Sequence, residues 1–384
     1  MTKPLRILSI GHSYVIASNR ALIREVAHDP GFEVTIAAPE FFHGDLRPLA
    51  LDAEPDGSRL RVVGLKAQRT SLMHLFRYDE VALRRLLNEG EFDVVHAWEE
   101  PYIYAGYQIA RTVCATSASY CFRTAQNQVK WYPPPFSYFE RQAVARAQGW
   151  IAGGQLVYKA MLQRGYPAEL GQVITLAVDA QAFRPLDAQT RAEVLAELGL
   201  EPPVIGFTGR LTAAKGLDVL MRAMEMVKKP EKWSLLLLGS GPYEERIVRW
   251  SQERGWADRV KIKLARHHEM PRYLGVMDML VAPSQTTRAW REQFGRMLIE
   301  AFACGVPVIA SDSGEIPFVV GNGGRIVPEH DVAAWSRAIT ELLTDYSTRA
   351  ELARLGLERV KQYTVATVAE QYRNYYCRLA AQAE

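Results

Sequence analysis

The chain has 384 residues, 48% of them hydrophobic and 23% charged, which excludes a disordered or low-complexity protein and is too long for one ordinary core. Forty-six basic against 43 acidic residues leave a net charge of +3, far from the balance of a dedicated nucleic-acid binder. Any anion site must therefore be local. No apolar run approaches the ~20 residues a membrane span needs. The apolar stretch from Ile7 to Ala17 is broken by Gly11, His12 and Ser13, so it does not read as a signal peptide. The four cysteines (Cys114, Cys121, Cys304, Cys377) show no CxxC and no zinc spacing. A soluble, cytoplasmic protein is the expectation.

In chain order, short apolar runs alternate with amphipathic helical stretches, the pattern of an α/β fold with parallel sheets. RILSIG (6–11) predicts the first strand and Ile16–His28 a helix. EVTIAAP (33–39), RVVGL (61–65), FDVVHAW (92–98), ASYCFR (118–123) and GWIAGG (149–154) continue the strands, with helices near 79–89, 101–112 and 138–147. AVDAQAFRPLD (177–187) reads as a hinge, and a helix follows near 188–199. The series then restarts with PVIGFTG (203–209), SLLLLG (234–239), VKIKL (260–264), MLVAPS (279–284) and VPVIAS (306–311). Helices are expected around 216–228, 242–254, 269–276 and 295–304, and helix again from Val332 to Ala383 with a break at Tyr363–Thr364. The expected architecture is two Rossmann-like, doubly wound halves facing a cleft. The first covers 1–178 with the last helix, 364–384; the second covers 179–363.

In such sheets ligands sit beyond the carboxyl ends of the strands, so the strand-to-helix turns are where chemistry is sought. The strongest candidate is REQFGRMLIEAFACGVPVIAS (291–311). Phe294, Gly295, Arg296 and Met297 open a helix, where unpaired backbone N–H groups attract phosphate and Gly295 lets an anion approach the main chain. Glu292 can fold over that helix end, while Glu300 lies inside an almost wholly apolar helix. A carboxylate buried there needs hydroxyls or cations to meet it; ribose hydroxyls and an internal salt bridge are the two readings. The second candidate is GFTGRLTAAKG (206–216), where Gly209 gives a flexible loop and Arg210 and Lys215 supply two positive charges, suited to a diphosphate or else simply solvated. Its spacing is not that of a P-loop, and the first turn, Gly11–His12–Ser13, is not GxGxxG, so no dinucleotide cofactor is expected. There is no DxD and no acidic cluster with metal-ligand spacing, so no metal is expected. HAWEEPY (96–102) places His96, Trp98, Glu99 and Glu100 after a strand, as acceptor-side or structural residues. WYPPPF (131–136) is a stiff aromatic–proline segment, read either as loop packing or as contact with a membrane surface.

Taken together, GRLTAAKG, GSGP, APS and the E-x7-E segment EQFGRMLIE, followed by AFACGVPVIAS, resemble the family 4 retaining glycosyltransferases of the GT-B fold. The resemblance runs over nearly the whole chain and is densest in residues 206–318. It implies a nucleotide-diphosphate-sugar donor held by the C-terminal half and a hydroxyl acceptor (sugar, glycolipid or small molecule) held by the N-terminal half. Arg210 and Lys215 would then neutralise the diphosphate, and Gly209 and Gly11 would let their loops approach it. Glu300 would accept from ribose hydroxyls, and Glu292 and His96 would be the catalytic residues. Phe294–Met297 would lie against the sugar and phosphate. Transfer would proceed with retention and without a metal, in glycan or glycolipid assembly. One departure stands out: where relatives carry an H-x-H-like pattern, this chain reads His96–Ala97–Trp98, which passes a polar role to Glu99 or Glu100. The rival readings are a nucleotide-sugar epimerase and a catalytically silent sugar-nucleotide-binding protein.

Overall fold

The computed structural model describes residues 3–43, 48–288 and 290–382, so the last two residues of the expected final helix lie outside it. The chain divides into two compact units, Met1–Thr175 with Val365–Glu384, and Leu176–Thr364.

The first unit is built on seven parallel strands: β1 (Leu5–Ile10), β2 (Phe32–Pro39), β3 (Arg61–Leu65), β4 (Val94–Ala97), β5 (Ser119–Thr124), β6 (Gly149–Ala152) and β7 (Gly171–Val173). Their spatial order is β3-β2-β1-β4-β5-β6-β7. The order reverses between β1 and β4, which pair with Ser9 opposite His96. Ile7, Leu8, Ser9 and Ile10 are all fully buried, as expected of a strand covered on both faces. The last helix, Val365–Ala381, returns to this unit and packs on the helix Ala21–His28 and on β1 and β4.

The second unit repeats the plan with six strands: β8 (Val204–Thr208), β9 (Ser234–Leu238), β10 (Val260–Lys263), β11 (Met279–Ala282), β12 (Val308–Ser311) and β13 (Arg325–Val327). The order is β10-β9-β8-β11-β12-β13, reversing between β8 and β11. Successive side chains of β9 feed opposite cores. Leu236 and Leu238 join one cluster, Leu235 and Leu237 the other. Where the chain enters and leaves this unit it runs side by side with itself, Val178 N donating to Tyr363 O at 2.8 Å.

Most expected elements form within a few residues of their sequence limits, with instructive exceptions. The helix expected over Ile16–His28 begins only at Ala21, preceded by two 3-10 turns, His12–Val15 and Ala17–Arg20. The cause is Arg20, which is fully buried. Its guanidinium donates to Tyr14 O (2.7 Å), Val15 O (3.4 Å), Asp52 O (2.8 Å) and Glu54 Oε2 (3.1 Å). Those carbonyls are turned inward to meet a charge and are lost to a regular helix. The C-terminal helical region breaks at Asp345 as well as at Tyr363, because the Asp345 carboxylate caps the next helix by accepting from Ser347 N and Thr348 N. Strands β7 and β13 were not expected; each has three residues, too few for a periodic signal.

Replacing Arg20 by Leu strands the inward-facing carbonyls of Tyr14 and Asp52 and half of the Glu54 pairing. It should cost roughly 3–5 kcal/mol of the first unit's stability, read from the urea midpoint. A loss below about 1 kcal/mol would show that the two turns do not depend on this guanidinium.

Candidate functional site

In each unit the strand-order reversal makes two neighbouring loops leave in opposite directions, opening a crevice at the carboxyl ends of the strands. In the second unit these are the loops after β8 and β11. They touch through their main chains: a Cβ on Gly216, whose φ is +73°, would sit 1.8 Å from Pro283 O. That contact brings Lys215 to the β11 loop. Its ammonium donates to Glu292 Oε2 at 2.6 Å and lies 4.9 Å over the Trp290 ring. Ser284 Oγ donates to the same carboxylate oxygen at 2.9 Å. The Glu292 main chain is held too, its carbonyl accepting from Glu315 N at 3.0 Å. Glu292 is thus a buried carboxylate with its charge compensated. Arg210, at the end of β8 beside Gly209, is exposed and makes no ion pair among the described residues.

Gly295 precedes the helix Arg296–Ala303 with φ +83°, a left-handed conformation that glycine adopts without strain. No side chain caps that helix, and no acidic residue lies in its first turn. Phe294 is buried, edge-on to Tyr363 at 5.9 Å, so its side chain anchors the loop in the core while its backbone stays at the helix end. Arg296 is exposed and Met297 packs partly against the core. Glu300 differs from Glu292. It is 6% exposed, and no donor to its carboxylate is found among the described residues. Burial pushes its pKa up to about 7, with Arg296 opposing.

In the first unit the crevice lies between the loops after β1 and β4. Trp98 N donates to Ile10 O at 2.7 Å. Gly11 is extended, so its backbone does not demand glycine; space does, because a Cβ there would sit 2.8 Å from Trp98 Cβ. The structure therefore supplies a steric reason for Gly11 beside the phosphate-approach reason. Glu99 is buried and accepts three donors: His12 N at 2.6 Å (Oε1), His12 Nδ1 at 2.7 Å (Oε2) and Tyr78 OH at 2.9 Å (Oε1). The His12 ring is also stacked on Phe42 at 4.9 Å. Glu100 accepts from Thr124 Oγ1 (2.7 Å) and Ala125 N (2.8 Å), and burial raises its pKa. Arg123 lies 4.9 Å over the Trp98 ring. A pocket of about 200 Å³ is walled by His12, Trp98, Glu99, Glu100, Tyr102 and Arg123.

His96 does not reach this pocket. It is fully buried on β4, its Nδ1 bonded to Tyr376 OH at 2.9 Å and its ring against Trp98 and Tyr372. Burial, helped by Arg123, lowers its pKa to about 3, which keeps the imidazole neutral. This places His96 in the core beneath the last helix, a correction to its expected catalytic role. His12, Tyr78 and Arg123 were not singled out in the sequence. His12 carried a signal, standing directly after the glycine that ends β1; Arg123, inside the apolar run SYCFRT, carried none. Beside the pocket, Tyr132 stacks on Tyr102 at 4.1 Å, while the neighbouring Trp131 is 78% exposed.

Among the described residues no group of three or more His, Cys, Asp or Glu is placed to hold a metal ion. Among these residues no helix is long and apolar enough to cross a membrane.

Each of the two units is a parallel, Rossmann-like α/β sheet with a crevice at its order reversal, the general architecture of nucleotide-binding α/β proteins. The family described as "Glycosyl transferases group 1" matches residues 191–359. The chain is 30% identical over 295 residues to D-inositol 3-phosphate glycosyltransferase of Xylanimonas cellulosilytica, covering 69% of this chain and 67% of that protein. It is 34% identical over 186 residues to a GDP-mannose-dependent phosphatidylinositol monomannoside mannosyltransferase of Mycolicibacterium smegmatis, covering 47% of this chain and 48% of that one. In fold it resembles a glycosyltransferase from Rickettsia africae (TM-score 0.79, 16% identity, 98% of this chain and 99% of that one). It likewise resembles Anabaena HepE, solved with UDP-glucose (TM-score 0.72, 18% identity, 97% and 100%). The chain belongs to the group 1 glycosyltransferases, enzymes of family 4 type with the GT-B fold.

The raised pKa of Glu300 has a consequence for stability. The folded state favours the protonated acid, so the advantage is complete below about 4.5 and is lost as pH rises through about 7. Glu300→Gln, which cannot ionise, should be more stable than the parent by about 2–3 kcal/mol at pH 8 and nearly equal to it at pH 4.5. Unfolding midpoints at the two pH values measure this; equal gains at both would mean the carboxylate is not strained by burial.

Proposed function

We propose that the protein is a retaining glycosyltransferase that takes its sugar from a nucleotide diphosphate without a metal and passes it to a hydroxyl acceptor. The second unit holds the donor and the first the acceptor. The observation that carries this reading is Glu300: a buried carboxylate without a donor among the described residues, one turn inside an uncapped helix, is expensive unless a ligand completes it. The two hydroxyls of a ribose suit that position. The E-x7-E spacing, Glu292 to Glu300, then sets the sugar and the nucleoside at opposite ends of one loop-and-helix segment.

The diphosphate fits the N-terminal end of the helix Arg296–Ala303, where backbone N–H groups and the helix dipole favour negative charge. Gly295 keeps the approach to the main chain open. Arg210 and Lys215 add two positive charges, which do the work of charge neutralisation as the leaving group departs. Lys215 is held by Glu292 before the donor arrives, so a diphosphate competes with that carboxylate for the ammonium. Once Lys215 turns to phosphate, Glu292 is left to accept from sugar hydroxyls. In the transfer itself the bond from the anomeric carbon to the diphosphate oxygen breaks and a bond to the acceptor oxygen forms on the same face. The acceptor proton leaves with the diphosphate. The segment around Leu264–Met270, which follows β10, is where the base would be read.

Calorimetric titration with UDP, GDP, ADP, CDP and dTDP, with and without EDTA, tests the reading. Selective binding of one nucleotide, unchanged by EDTA and at least tenfold weaker in Glu300→Ala, is the expected outcome. Failure of all five to bind would remove the donor site and with it the proposal.

The reading extends to glycan or glycolipid assembly, with contact to a membrane surface through the exposed aromatic Trp131 beside the pocket. Co-sedimentation with vesicles containing anionic lipid should fall several-fold in Trp131→Ser. Equal pelleting of the two proteins would exclude that contact.

A further inference from the structure

The charged groups that wall the pocket of the first unit are bonded within the protein. The Glu99 side chain is fully covered and holds three donors. Glu100 accepts from Thr124 Oγ1 and Ala125 N, and Arg123 donates to Ile174 O at 2.7 Å and Tyr372 OH at 3.2 Å. The exposed side chain in this wall that the protein leaves uncovered is apolar. Met73 lines the pocket and is 38% exposed, and Leu72 before it is 53% exposed. Their backbone is nonetheless firmly placed. Leu72 N donates to Arg69 O at 2.9 Å, and Leu72 O accepts from Leu75 N at 2.8 Å and Phe76 N at 2.9 Å. Phe76 itself is fully buried. A well-fixed turn thus shows two large apolar side chains to solvent.

These side chains are not scattered singly over the surface. Tyr102, another wall residue, is touched by two segments: His74 edge-on at 6.0 Å and Tyr132 stacked at 4.1 Å. His74 also meets Phe136 edge-on at 5.6 Å, which ties the two segments to each other. Leu72, Met73 and the exposed Trp131 therefore stand within two residues of rings that pack on one tyrosine. Grouped exposed apolar side chains at the rim of a polar cleft mark a ligand or partner contact. At about 200 Å³ the pocket is smaller than the ~300 Å³ at which drug-sized sites begin. It holds about one ring, and the rest of a larger acceptor must leave over this rim.

We propose that Leu72 and Met73 form an apolar subsite at the pocket mouth for a hydrocarbon group carried by the acceptor itself, so that the acceptor is an amphiphile: a hydroxyl-bearing ring joined to an alkyl or isoprenoid chain. This rests on the glycosyltransferase reading above and narrows its acceptor class. Methionine, unbranched and polarisable, adapts to a chain of no fixed shape. Each methylene buried there is worth about a fourfold gain in affinity, so two or three give tenfold or more.

Saturation-transfer NMR titrations on the full chain, with the preferred nucleotide present, test it. The probes are methyl, butyl and octyl β-glucosides and the same three α-mannosides, all below the concentrations at which they form micelles. On at least one of the two sugars, affinity should rise with chain length, tenfold or more from methyl to octyl. The double variant Leu72→Ser, Met73→Ser should lose most of that gain. Val248→Ser, at an exposed apolar position on the second unit's helix Glu244–Glu253, should keep it. Thermal midpoints serve as the folding control for both variants. Equal affinities along the series, no binding of either octyl glycoside, or a gain that survives the double substitution would overturn the inference. If the double variant loses only co-sedimentation with phosphatidylcholine vesicles, the rim is a bilayer contact and the inference falls. A chain that binds no nucleotide fails the broader proposal instead, so the two failures are told apart.

Discussion

Lys215 and Glu292 meet because neighbouring strands of one parallel sheet send their connections to opposite faces. The reversal at β8 and β11 is the constraint on which this geometry depends. It requires two loops to diverge from adjacent strand ends, and Gly216 lets the first of them press its main chain onto Pro283 of the second. Any side chain at that position would push the loops apart and withdraw the ammonium from its carboxylate. The first unit uses the same device at β1 and β4, where Gly11 yields its side-chain space to Trp98. Two sheets of the same order thus produce two crevices, each closed at its base by a glycine.

The two crevices treat buried carboxylates differently, and the difference carries chemical meaning. Glu99 takes three protein donors and Glu292 takes Lys215 and Ser284 among others, so each is satisfied by the protein. Glu300 has no donor among the described residues, and burial, against the opposing charge of Arg296, pushes its pKa up to about 7. A compensated carboxylate can orient other groups, whereas the burial of Glu300 costs stability above pH 7, a local conflict of the kind that clusters at functional sites.

Much of this was legible in the sequence, for physical reasons that can be named. Interior strands of parallel sheets are apolar on both faces, so SLLLLG and VPVIAS stood out as continuous runs. The helix that opens after Gly295 was marked by glycine at its start and by Gly305 and Pro307 at its end. Three-residue strands such as β7 and β13 were not legible, because they exist only by pairing with a neighbour already in place. The two 3-10 turns were hidden for a similar reason: Arg20 acts through Asp52 and Glu54, more than thirty residues away. His96 misled because linear order does not show how far past a strand end the crevice begins. His96 and Trp98, two residues apart, lie on one side with ring centroids 5.4 Å apart, but His96 is inside β4 beneath the last helix whereas Trp98 stands past the strand end and reaches the pocket wall.

The last helix explains why a histidine survives at that buried position. Val365–Ala381 presents Tyr372 and Tyr376 to the sheet, and a phenol buried there needs a hydrogen-bond partner. The Nδ1 of His96 provides one for Tyr376, and Arg123 provides one for Tyr372 while its guanidinium lies over Trp98. The aromatic cluster therefore ties the returning C-terminal helix to the same tryptophan that walls the pocket. Trp98 is held by Gly11 from one side and Arg123 from another, and neither contact requires a catalytic imidazole at its neighbour. The residue after Trp98, Glu99, is instead tied across the order reversal to His12, accepting from its backbone N–H and its Nδ1.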